Sequence, residues 1–146
     1  MLFRSEIEHS VPTLLELYVD GATSADLSAW SVVAVAVTPT GRIFHGCISG
    51  MTQINPSQVD WVGAQQHCNI DAELSAMIVA TAFALFAQQD YAVCVRPDLA
   101  LSRQIAQSAA TTRHFLPLAK TLHALGQLAS DDVFTQEIRA DRKSVV

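Results

Sequence analysis

The sequence predicts an α/β domain built on a mixed sheet. Three observations carry that prediction. Valine- and leucine-rich segments with turn signals between them fill the first third of the chain. A stretch free of Gly and Pro, Asp71 to Gln88, then changes to helical spacing. Short apolar strands and helices follow, so the element order reads β-β-β-α-β-α-α-β. At 146 residues, half of them hydrophobic and 16% charged, the chain can bury one real core.

Residues 1–12 are mixed and polar and are expected to form an arm ahead of a domain spanning 13–141, with 142–146 as a tail. The first strand runs to Asp20, with Leu15, Leu17 and Val19 on one face. Gly21 is expected to let the backbone turn away there, since Asp-Gly is a common turn pair. Thr23 to Ser28 reads as a loop. Trp30 to Val37 is nearly all apolar and reads as a strand covered on both faces. Thr38-Pro39-Thr40-Gly41 is a turn, and Arg42 to Ser49 the returning strand.

Gly50 to Asn69 is a polar connection. In the helix from Asp71 to Gln88, Leu74, Met77, Ile78, Thr81 and Leu85 mark one face. Asp71 suits its N-cap, which puts Glu73 in the first turn. Tyr91 to Val95 is a short strand closed by Arg96-Pro97-Asp98. Leu99 to Ala109 is a second helix. Leu116 to Ala129 is a third, with Leu118, Leu122, Leu125 and Leu128 as its buried side. Val133 to Ala140 alternates as a last strand.

A strand, a helix and a following parallel strand form a right-handed crossover, so the fourth strand can lie beside the first and parallel to it. Asp20 and Asp98 then leave the sheet at the same edge, where α/β folds place their sites. Glu73, near the start of the crossover helix, leans over that edge. Three acids from separate parts of the chain thus gather at one place.

Charge and composition narrow the function. A formal charge of -5 counts against strong autonomous grip on nucleic acid through phosphates, but not against a cation-dependent site. Cys47, Cys68 and Cys94 are widely spaced and give neither a disulfide framework nor a zinc knuckle, which points to a reducing, intracellular compartment, cytoplasmic or nuclear. Arg4, Glu6 and Glu8 precede any apolar run, so no secretory signal is expected. The richest apolar stretch, Ala72 to Ala87, begins beside two acids and is not expected to cross a membrane. His67, Cys68, His114 and His123 lack partners at zinc spacing and read as loop or helix residues. Trp30 reads as core, Met77 and Phe83 as parts of the central helix, and Trp61 stays open between core and base-stacking roles.

With these residues in place, the chain resembles the ribonuclease H family. The matching pieces are Tyr18-Val-Asp20-Gly-Ala22, the valine-rich hairpin with Thr40-Gly41-Arg42, Asn69-Ile-Asp-Ala-Glu73-Leu-Ser-Ala76, and Val95-Arg-Pro-Asp98-Leu99. The resemblance covers roughly Leu14 to Asp141. It implies a mixed five-stranded sheet, with three antiparallel strands and the last two parallel, flanked by helices. It also implies cleavage of the RNA strand of RNA–DNA hybrids by two ions, Mg²⁺ or Mn²⁺. Asp20, Glu73 and Asp98 would then be the catalytic, metal-binding carboxylates, and Asn69 a substrate contact in the minor groove.

The chain departs from the family in three places. Arg96-Pro97 precede Asp98, and Leu99 follows it where a serine is usual; Arg96 is expected to pair with a site carboxylate. Only Ala110 to Phe115 separate the second and third helices, so the basic hybrid-holding helix of some members has no counterpart. The closing helix, which carries a fourth carboxylate, is expected to be missing. Asp141 is the acid that could stand in as a metal ligand, with Arg142 to Val146 after it. Two functions fit: a nuclease working beside a polymerase or other neighbour in a retroelement or viral polyprotein, and a non-catalytic ribonuclease H-like interaction module. The three acids favour the first. Leu99 and the expected loss of the last helix favour the second.

Overall fold

The structure is a computed structural model that describes residues 12–106, 115–131 and 133–136. The elements run β1 (Leu14–Ser24), β2 (Leu27–Thr38), β3 (Gly41–Met51), α1 (Asn69–Ala87), β4 (Ala92–Arg96), α2 (Ala100–Ala106), α3 (Leu116–Leu128) and β5 (Val133–Thr135). They build a five-stranded sheet in the order β3-β2-β1-β4-β5, with β4 and β5 parallel and the first three strands antiparallel. The expected α/β architecture and order are therefore present.

Alternation sets the faces of the sheet. Leu15, Leu17 and Val19 of β1, with Val32, Ala34 and Ala36 of β2 and Val93 and Val95 of β4, turn into one core with α1. Leu118 and Leu122 of α3 join it. Leu125 is partly buried, but Leu128 is 70% exposed, against the expectation for that residue.

Helix α1 is buried on every side from Asp71 to Ile78 rather than along one stripe, and Leu85 is only partly buried. Ala72, Ala76, Ala80 and Ala84, spaced four apart along one side, let neighbours approach closely there. By length and composition α1 could cross a membrane, contrary to expectation. However, 61% of that window is buried within the fold, as in a core helix.

Three local expectations change. Strand β1 does not end at Asp20; it pairs with β2 out to Ser24, opposite Leu27, and the expected loop shrinks to Ala25-Asp26. Ala25 takes a left-handed φ of 50°, a conformation that no Gly or Asn at this point announced. The N-cap of α1 is Cys68, not Asp71: its Sγ accepts the Asp71 amide at 3.4 Å. The Asp71 carboxylate instead accepts the Gln65 and Gln66 amides at 2.9 and 3.1 Å, closing the loop before the helix. Glu73 therefore sits in the second turn. Trp30 packs on the core as expected, and the Trp61 indole N–H donates to the Ala64 carbonyl at 2.7 Å. The expected arm up to residue 11, His114, residues 107–109 of the expected second helix, the part of the expected last strand beyond residue 136, Asp141 and the expected tail lie outside the described residues.

Candidate active site

Strand β4 pairs with β1 only from Leu14 to Tyr18. Past Tyr18, β1 keeps its β2 neighbour but loses β4, because Pro97 ends the strand after Arg96. Asp20 lies in this unpaired stretch, exposed, opposite Ser31 of β2, with its Oδ1 accepting the Gly21 amide at 2.9 Å.

Gly21 does not turn the chain. Its role is closeness: a Cβ there would stand 2.5 Å from the Glu73 nitrogen and 2.7 Å from the Ala72 Cβ. Only glycine lets β1 press on α1 at this height, and that contact carries Asp20 toward Glu73.

Glu73 is 2% exposed. Its Oε1 accepts the backbone amides of Asp98 and Leu99 at 3.0 and 2.9 Å. Among the described residues, both hydrogen bonds that the Glu73 carboxylate accepts fall on Oε1. Burial pushes its carboxyl above the usual range. The two amides pull it back down, and the charges of Asp98 and Asp20 add to the rise. Asp98 is half-buried just beyond β4, and Asn69 is exposed at the first position of α1, one turn before Glu73.

The three expected acids thus share one edge of the sheet, and Glu73 feels both of the others. They do not close into a ligand set: among the described residues, no group of three or more His, Cys, Asp or Glu side chains could hold an ion as placed. Leu99 matters less than its side chain suggests, because its amide makes the contact to Glu73.

No protein-family model and no curated protein matches the chain. Solved structures do. A ribonuclease H1 from the archaeon Halobacterium salinarum NRC-1 superposes with a TM-score of 0.61 at 18% identity, covering 88% of each chain. A ribonuclease H1 from a compost metagenome, LC11, in complex with an RNA/DNA hybrid, gives 0.63 at 15% identity over 89% of this chain and 88% of that one. The fold is ribonuclease H-like. A prototype foamy virus protease–reverse transcriptase matches with a TM-score of 0.65 at 13% identity, covering 100% of this chain and 20% of the viral one.

The ribonuclease H-like sheet also carries a polar cluster that the sequence reading missed. Arg96 does not reach a site carboxylate. It turns to the opposite face, where its Nε and Nη2 bind Glu16 Oε1 at 3.0 and 2.6 Å. Glu16 Oε2 accepts the Tyr18 hydroxyl at 2.9 Å and a guanidinium nitrogen of Arg42. Glu16 is 2% exposed. The available signal was an acid in the middle of Leu14-Leu15-Glu16-Leu17, where a buried charge must have a partner.

Proposed function

We propose that this chain is a divalent-metal-dependent endoribonuclease of ribonuclease H type, acting on the RNA strand of RNA–DNA hybrids. The observation that carries the proposal is Glu73, a carboxylate shut away from water beside two other acids, with its pKa raised. Such an arrangement is costly alone and is relieved by a cation. The donors are hard oxygens, which suit Mg²⁺ or Mn²⁺. Two bound ions supply activation of the attacking water and stabilisation of the leaving oxygen.

The chain's own residues prepare the site. Two amides hold Glu73 Oε1, so Oε2 would be the atom offered to a metal. Asp20 is exposed and would reach an ion by exchanging one local hydrogen bond, that from the Gly21 amide. Asp98 is placed by the same amide that holds Glu73. Asn69, exposed one turn before Glu73, is proposed to read the minor groove, where 2′-hydroxyls separate RNA from DNA. Asp141 is proposed as a further ligand.

The hybrid bound by the LC11 enzyme supports the substrate class. The match to a fifth of a viral polymerase chain supports a polymerase neighbour in a retroelement or viral polyprotein. An intracellular location belongs to the same proposal, since Cys47, Cys68 and Cys94 are all free thiols.

The open ligand set favours one alternative, a non-catalytic module that keeps the fold. Cleavage of an end-labelled RNA–DNA hybrid in Mg²⁺ and in Mn²⁺ separates the two, alongside calorimetric titration with Mn²⁺. The nuclease cuts only the RNA strand, and Asp20→Asn or Asp98→Asn removes both cleavage and ion binding. Neither cleavage nor ion binding in Mn²⁺ means the non-catalytic module.

A further inference from the structure

We infer that Glu16 is a positioning residue: through Arg96, on the sheet face away from α1, it fixes the end of β4 so that the Asp98 and Leu99 amides stay on Glu73. Four observations support this. The β1–β4 ladder stops at the Tyr18–Arg96 pair, so no ladder bond to β1 holds the chain beyond it. Arg96 is tied to Glu16 on one face, while two and three residues later the Asp98 and Leu99 amides are tied to Glu73 on the other. Buried Pro97, with a locked φ, is the rigid link between those anchors. The guanidinium places two N–H groups on one carboxylate oxygen, a contact that sets direction as well as distance.

Packing alone does not call for this pair. Glu16 is 2% and the Arg96 side chain 13% exposed, and apolar residues of similar size fill such a place at equal or better stability. What apolar residues cannot do is fix the angle at which β4 leaves the sheet. The consequence for metal binding rests on the nuclease proposal; the clamp on Glu73 does not.

The experiment compares the 146-residue chain with the double variant Glu16→Leu, Arg96→Leu, which leaves no buried charge unpaired on this pair. Amide hydrogen exchange at Asp98 and Leu99 is read by NMR against the β2 amide of Val33 as an internal standard. The expected result is exchange at least about tenfold faster at Asp98 and Leu99 with Val33 unchanged. Unchanged exchange at Asp98 and Leu99 in a folded double variant overturns the inference. If the double variant does not fold, Glu16→Gln is used: it keeps the shape and weakens the pairing, and the same two amides must lose protection ahead of Val33 or the inference falls. Mn²⁺ titration of the same samples reads the consequence. A tenfold weaker affinity joins the clamp to the metal site. Full affinity with a loosened clamp overturns that link. Absence of Mn²⁺ binding by the unaltered chain counts against the nuclease proposal and leaves the exchange result to stand alone.

Discussion

A methyl group on Gly21 would stand 2.5 Å from the Glu73 amide nitrogen, so β1 and α1 meet backbone to backbone beside Asp20 and at Glu73. Gly21→Ala therefore forces the two elements apart. Overpacking of this kind costs about 1–3 kcal/mol. Urea melts should show a loss in that range, with Mn²⁺ affinity falling alongside it. Gly126→Ala is the matched control. Nothing lies within 4 Å of a Cβ there, and the position is inside α3, so a gain of about 0.4–1 kcal/mol is expected.

Glu73 makes the stability of the metal-free chain depend on pH in a definite direction. Its folded pKa is raised by burial and by the Asp98 and Asp20 charges, so between its unfolded and folded values the folded state holds the extra proton. Its contribution to stability therefore falls as pH rises through that window. Below the window the penalty is absent, and above it the penalty is complete. Thermal melts of the chain and of Glu73→Gln across pH 4 to 8 should diverge, with the Gln form gaining relative stability as pH rises. A constant difference across that range would mean that Glu73 is not perturbed.

The two arginines on Glu16 should differ sharply. The Arg96 side chain is 13% exposed and that of Arg42 is 52% exposed. Arg96→Leu strips the buried carboxylate of the partner that places two N–H groups on its Oε1, a change worth about 3 kcal/mol or more. Arg42→Leu removes a solvent-screened partner and should cost less than about 1 kcal/mol. Equal losses in chemical denaturation would mean that both pairs are equally screened.

The cysteines should separate by reactivity. Burial pushes the Cys94 thiol up to about 11, whereas Cys47 is exposed. The thiolate is the reactive form, so a disulfide reagent at pH 8 should label Cys47 quickly and Cys94 only after unfolding. Mass spectrometry of the labelled peptides reads the order. Rapid labelling of Cys94 in the folded chain would place it at a surface.

Much of this protein is written locally. Alternation in Leu15, Leu17 and Val19, the run from Trp30 to Val37, and helical spacing across Leu74, Met77 and Ile78 name the strands and the central helix, because a side chain's face follows from its neighbours two to four residues away. The crossover rule then carries Asp20, Glu73 and Asp98 to one edge, and the structure puts them there with Glu73 coupled to both. Tertiary structure alone decided the rest. Gly21 reads as a turn until α1 lies against it. Asp71 reads as a cap until Gln65 and Gln66 fold back onto its carboxylate. Glu16 finds its arginines 26 and 80 residues away, and Arg96 turns from the expected site to the opposite face of the sheet. Periodicity is a property of one segment. A close approach or a buried ion pair is set by the distance between segments, which exists only once the sheet and its helices have packed.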